Sequence, residues 1–114
     1  MKMKQLTIIV FLVVTTLIGC SKLDIEKGTP KNIENKIKDF NKSSICNTAN
    51  VKEYIFQGNP VYTFDPGRCG ADMNTEVTNS DGNTLGYLGG IVGNTKINSE
   101  EFSKATFVKS IWKK

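Results

Sequence analysis

The 114-residue chain is 39% apolar and 23% charged, with 10 Gly, 3 Pro, 3 Cys and no His, a composition that suits one small domain and argues against two. Its net charge of +4 shrinks once Lys2 and Lys4 are assigned to a leader, because 13 basic residues then face 11 acidic ones mixed along the chain. A nucleic-acid partner is not indicated, since such domains cluster Lys and Arg on one face. The lack of His excludes Ser-His and Cys-His nucleophile pairs and the usual His-containing zinc sites, leaving an enzyme to run on carboxylates or Lys. The chain is therefore expected to be non-enzymatic, and no residue pattern calls for a cofactor.

Lys2 and Lys4 precede Leu6–Ile18, a run of 13 residues whose only polar members are Thr7, Thr15 and Thr16. A helix needs about 20 apolar residues to span a bilayer. The run is too short for that, and its basic-then-apolar order is that of a secretory signal, expected over residues 1–19. It ends in Leu17-Ile18-Gly19-Cys20, which resembles the lipobox of bacterial lipoproteins. The resemblance implies cleavage before Cys20, fatty chains such as palmitate on that residue, and a membrane as first partner. One chain binds a bilayer only marginally, whereas two or more anchor stably. Ser21 follows instead of Asp, so the inner-membrane retention cue of enterobacterial lipoproteins is missing. Ser21–Glu26 loosely resembles the acidic tether of some surface-exposed Bacteroidota lipoproteins. The implied location is the cell envelope, at the outer membrane, on its periplasmic or its outer face.

With Cys20 assigned to lipid, Cys46 and Cys69 remain. Export places them in an oxidising compartment, where a pair tends to be bridged. Two thiols without His are a poor metal site, and no Cys-x-x-Cys turn is present. A structural disulfide is expected. It closes a loop of about 24 residues and contributes roughly 3 kcal/mol through chain entropy.

Residues 20–28 read as a polar tether and 29–114 as the folded domain. Thr29 is expected to cap a helix with Pro30 at its first position. Ile33, Ile37 and Phe40 form the apolar stripe of that helix, which runs to about Asn41, and Glu34–Lys38 forms a minor outer pair. Val51–Phe56 and Val61–Phe64 predict a hairpin turning at Gln57-Gly58-Asn59-Pro60. Tyr54 and Phe56 share one strand face, as do Tyr62 and Phe64; were those faces to coincide, they would form one aromatic surface over the helix. Ile55 and Val61 fall opposite, a hint that both sides are partly covered.

Asp65–Asp72 is the longest turn-rich loop. Thr75–Asn79 and Thr84–Ile91 predict a second hairpin with an Asp81-Gly82 turn. Gly86, Gly89, Gly90 and Gly93 mark a bulge or a close backbone approach, not a phosphate loop. Asn98-Ser99-Glu100-Glu101 has the pattern of a capping box opening a short helical turn. Thr106–Trp112 predicts a terminal strand, with Phe107 and Ile111 on one face and Val108 and Trp112 on the other. The fold class is α+β: one N-terminal helix on a small antiparallel meander sheet of four to five strands.

Phe64-Asp65-Pro66-Gly67-Arg68-Cys69-Gly70-Ala71-Asp72, with Asn83–Ile91 and Ile111-Trp112, resembles an uncharacterised family of small Bacteroidota lipoproteins over about Ile45–Lys113. The resemblance implies an envelope location and a single domain, and contributes no catalytic residues. Asp65, Asp72, Glu76 and Asp81 gather acids around two turns, without the register of a calcium loop. Ser110-Ile111-Trp112-Lys113 matches Ser-x-x-Lys by chance, lying on a strand and not at a helix start. Arg68, the one arginine, is expected to brace its loop against Asp65 or Asp72.

The function expected is a binding or scaffolding module for an envelope protein, whose partner meets the loop Asp65–Asp72, with Asp65, Arg68 and Asp72, and the Gly-rich strand. The alternatives are an inhibitor of an envelope or secreted enzyme, similar in layout to small secreted inhibitor modules, and a carboxylate-dependent enzyme with two of the four acids in one pocket.

Overall fold

The structure, a computed structural model, describes residues 23–114. The expected signal over 1–19 and the lipidation site at Cys20 lie outside the described residues. Among the described residues a single α-helix, α1 (Lys31–Ser43), precedes strands β1 (Asn50–Phe56), β2 (Asn59–Asp65), β3 (Asn74–Thr78) and β4 (Thr84–Gly89). A short ribbon of β5 (Lys96–Ile97) and β6 (Glu100–Glu101) follows, then a 3-10 turn (Phe102–Lys104) and β7 (Thr106–Lys113). The first four strands meander, and β7 returns to pair with β1, giving an antiparallel sheet in the order β4-β3-β2-β1-β7. The fold is α+β.

The helix forms where the apolar period puts it. Ile33 and Ile37 are fully buried, and Phe40 packs edge-on against Phe64 and Trp112, at ring separations of 5.5 and 6.1 Å. With Val51, Tyr62 and Ile111 they form the core on one face of the sheet. Thr29 is not the cap, however. Its hydroxyl donates to the Glu26 carbonyl at 2.6 Å, and Pro30 takes the cap position, its carbonyl accepting from the Ile33 and Glu34 N–H groups. The Glu34–Lys38 pair does not form; among the described residues the ion pair is Lys36–Glu76 at 3.1 Å, joining helix to sheet. At the far end, the Lys114 ammonium donates to the Asn41 and Ser44 carbonyls, satisfying orphan acceptors where the helix dipole is negative.

The expected tether is docked from Leu23 onward. Leu23 and Ile25 pack on the helix-side core, and the Glu26 N–H donates to the Ile111 carbonyl of β7 at 2.9 Å. Alternating apolar residues let this short stretch lie along the open edge of β7, so it is part of the packed body.

The β1–β2 turn uses only Gln57 and Gly58, both at positive φ (52° and 79°), as a two-residue turn matched to strand twist requires. Val51 thus pairs with Phe64, and Tyr54 with Val61. An even-length turn always pairs even with odd positions here, so Tyr54 and Phe56 face away from Tyr62 and Phe64. There is no single aromatic surface. Tyr54 and Phe56 instead join Val61, Val77, Ile97 and Phe102 in a second core on the opposite face.

That face is roofed by the ribbon. Asn98-Ser99-Glu100-Glu101 is not a capping box: Asn98 and Ser99 both take positive φ (50° and 65°) as a two-residue turn, and the Glu101 carboxylate accepts from the Thr95 hydroxyl. The turn lowers Ile97 onto the sheet above Gly86, where a Cβ would come within 2.9 Å of the Ile97 methyl. β4 stops at Gly89, short of Ile91, because the chain turns through Gly90–Gly93 and bridges back from Asn94 to Gly89.

β7 carries two irregularities against β1, at Val51/Lys52 and Glu53/Tyr54. Val51 pairs with Trp112 and Lys52 with Ser110, leaving Ile111 as an extra residue. A bulge brings neighbouring side chains to the same side. Ile111 and Trp112 therefore both enter the helix-side core, while Phe107 packs against Tyr54 on the other face. The predicted sharing of one face by Phe107 and Ile111 is overturned by the other irregularity: Glu53 pairs with Lys109 and Tyr54 with Phe107, so Val108 is the extra residue that puts Phe107 out of phase with Ile111.

Because each face carries its own core, Ile33→Ala and Ile97→Ala, one from each, are expected to cost about 2–5 kcal/mol apiece in urea unfolding. A loss below ~1 kcal/mol at Ile97 would show that the ribbon is only an appendage. Burial pushes the Tyr54 and Tyr62 phenols up, reinforced by Asp65 and Glu53 respectively, with Ser80 drawing Tyr62 partly back. The folded chain thus holds these protons more tightly than the unfolded chain. Their stabilisation is complete below the ordinary tyrosine value of about 10 and is lost as pH rises through the raised folded values. The urea midpoint is expected to fall above that pH, and to fall less in the Tyr54→Phe, Tyr62→Phe double variant.

Candidate functional site

The end of the sheet where β2 leaves and β3 and β7 meet the helix exit carries the loop singled out in the sequence. Cys46 and Cys69 are disulfide-bonded, with Cα atoms 5.5 Å apart. The bond joins the helix-to-β1 connection to the loop after β2. Cys46 is buried and touches Met73 sulfur to sulfur at 3.9 Å.

Asp65, Arg68 and Asp72 lie at this end, and the structure separates their roles. The Asp65 carboxylate accepts the Gly67 N–H at 2.9 Å, closing the turn that follows Pro66. Gly67 has φ +97°, and a Cβ there would approach Cys46 Cβ to 2.7 Å and collide with the Thr48 hydroxyl oxygen. The Arg68 N–H donates to that same hydroxyl at 3.3 Å. Asp65-Pro66-Gly67-Arg68 is thus pressed backbone-first onto residues 46–49 and pinned there by the disulfide. The expected Arg68 brace does not form: among the described residues the guanidinium makes no ion pair with Asp65 or Asp72. The Asp65 carboxylate is engaged by its own turn, while Arg68 and Asp72 are exposed.

The four acids are not assembled into one site. Glu76 lies on the helix side of β3, bound to Lys36 and to the Thr84 hydroxyl. Asp81 lies at the opposite end, beside a cleft that also takes in Phe56, Gln57, Pro60, Ser80 and Asn98 and that holds none of the other three acids. Among the described residues no three His, Cys, Asp or Glu side chains converge on a metal position.

At the exit of the Gly-rich strand, beside the disulfide loop, sit apolar residues whose exposure the sequence did not reveal. Ile91 and Val92 are 87% and 88% exposed at the tip of the Gly90–Gly93 turn, and Ile45, next to Cys46, is 81% exposed. The tip is firmly held. Gly89 and Asn94 exchange backbone hydrogen bonds of 2.8 and 3.1 Å, the Gly90 N–H donates to the Met73 carbonyl, and the Asn94 side chain donates to the Tyr87 and Lys96 carbonyls. Ile91 followed by Val92 continues a β-rich run, which reads as strand; only the flanking glycines signalled a turn.

Residues 35–114 match the family described as Domain of unknown function (DUF6970). The chain belongs to the DUF6970 family. The matched region takes in most of the helix, all strands of the sheet and the disulfide, so the pinned loop is part of the family domain. No curated protein and no solved structure matches the chain. No helix among the described residues is long and apolar enough to cross a membrane.

The close approach at Gly67 can be separated from its backbone conformation. Gly58 shares a positive φ but has open space around it, so Gly58→Ala is expected to cost about 1–2 kcal/mol. Gly67→Ala must add the collision with residues 46–48 and is expected to lose at least ~1 kcal/mol more in thermal or urea unfolding. Equal losses would mean that the loop is not pressed against Cys46 and Thr48.

Proposed function

We propose that this DUF6970 chain is a lipid-anchored lipoprotein of a Bacteroidota cell envelope, at the outer membrane, that acts as a non-enzymatic binding or scaffolding module for an envelope protein. The anchor is read from Leu17-Ile18-Gly19-Cys20, the order of residues that directs acylation of a cysteine. The source is read from the likeness of Phe64–Asp72 to small lipoproteins of that phylum.

The observation that carries the binding role is the rigid presentation of Ile91 and Val92 to solvent, with Ile45, Arg68 and Asp72 at the same end of the sheet. Adjacent β-branched side chains gain nothing from such exposure in a lone domain. Held outward by a hydrogen-bonded turn, they form a preorganised apolar contact, because little conformational freedom remains to be lost on docking. Arg68 at the rim is the residue type that often anchors interfaces. The dispersal of Asp65, Asp72, Glu76 and Asp81 weighs against a carboxylate-dependent enzyme.

Both halves of the reading can be tested in cells. Labelled palmitate is expected on the chain and absent from the Cys20→Ser variant; an unlabelled parent chain would overturn the anchor. A photocrosslinking residue at Ile91 is expected to give a defined higher-mass adduct that Val92→Asp abolishes and that the same probe at Gln57, on the opposite end, does not give. Equal crosslinking from both ends would overturn the binding end.

A further inference from the structure

The short span between the expected anchor and the packed body restricts which surface can meet the lipid. Leu23 is packed on the helix-side core and the Glu26 N–H is bonded to β7. An extended chain advances at most ~3.6 Å per residue, so Leu23 lies within about 11 Å of Cys20 along the chain. An anchored domain therefore cannot stand off from the bilayer, and the surface around Leu23 must lie against it.

That surface is a groove between residues 23–28 and the outer face of α1. Lys27, Lys31, Lys38 and Lys42 line it, with Glu26 and Glu34 as the acidic members. All four lysines are exposed, and none is in an ion pair among the described residues. The Glu34–Lys38 pairing that would neutralise one of them is not made. Two positive charges in excess, placed beside the anchor and free of protein partners, complement a negatively charged surface. Such a surface attracts ammonium groups close to it, and the attraction dies away within about a Debye length.

We propose that this groove is a membrane-contact surface whose lysines receive the phosphate groups of anionic phospholipids, which fixes the orientation of the domain on the bilayer. The proposal rests on the lipid anchor at Cys20 and says which side of the domain the anchor brings to the lipid. With the Lys27–Lys42 groove against the headgroups, the docking end is carried at a fixed attitude to the bilayer.

The test uses the acylated mature protein reconstituted in vesicles of phosphatidylcholine alone or mixed with phosphatidylglycerol. Acetylation by a water-soluble amine reagent is followed lysine by lysine by mass spectrometry. On the mixed vesicles, Lys27, Lys31, Lys38 and Lys42 are expected to react about five-fold more slowly than on phosphatidylcholine, and high salt is expected to reverse the effect. Lys52, Lys96 and Lys104, on elements of the opposite face, are expected to react equally on both. Equal rates for the groove lysines on the two vesicles, or slowing of all lysines together, would overturn the proposal while leaving the anchor intact. Failure of the protein to float with either vesicle would overturn the anchor itself, and the proposal with it.

Discussion

Two pieces of chain that a helix and a sheet would otherwise leave apart are held together by the contact between residues 46–49 and 65–69. The disulfide supplies the covalent part: closing a loop of about 24 residues removes roughly 3 kcal/mol of chain entropy from the unfolded state. Gly67 supplies the shape, because only a residue without a Cβ lets the loop backbone lie on Cys46 and Thr48. Asp65 and Thr48 then satisfy the Gly67 and Arg68 N–H groups. The exit of α1 is thereby tied to the exit of β2. This fixes where the helix crosses the sheet and which residues of β1 and β2 it covers. The proposed docking end is built on the same contact, since Met73 touches Cys46 and its carbonyl holds the Gly90 turn.

A sheet this small is stabilised by using both faces. The helix covers one face through Ile33, Ile37 and Phe40, and the ribbon with its 3-10 turn covers the other through Ile97 and Phe102. β7 serves both cores because its two irregularities shift the alternation of side chains along the strand: the one at Val108 directs Phe107 to one side, and the one at Ile111 brings Ile111 and Trp112 together on the other. Ile45, Ile91 and Val92 are left outside both cores. Their exposure belongs to the disulfide-bound end, where the backbone is already committed to hydrogen bonds.

Those features that rest on a local period or on counting were legible in the sequence. Ile33, Ile37 and Phe40 mark a helix face because i, i+4 and i+7 coincide on no other regular structure. The Asp-Gly and Gln-Gly turns announced the hairpins, and two leftover cysteines announced the disulfide. What failed depended on one-residue choices that carry no strong signal. The length of the β1–β2 turn decides whether Tyr54 faces Tyr62, and Gln57 at positive φ is not advertised by its side chain. Asn98 and Glu101 fit a capping box and a tight turn equally well, and burial of Ile97 selected the turn. Cys69 stood out as half of the disulfide, whereas the parts Asp65 and Gly67 take in holding the loop to the helix exit depend on a long-range approach to residues 46–48 that no local pattern announces. The site's apolar members were hidden in what read as the end of a strand.

The central claim is that the contact around Cys46–Cys69 orders one end of the sheet. Native-state hydrogen exchange before and after selective reduction and alkylation of the disulfide addresses it most directly. The account predicts that amides at Gly67, Arg68 and Gly89–Asn94 lose protection while those at the centre of β1 and β2 keep theirs. Unchanged protection at Gly67 and Gly90 after reduction would contradict it.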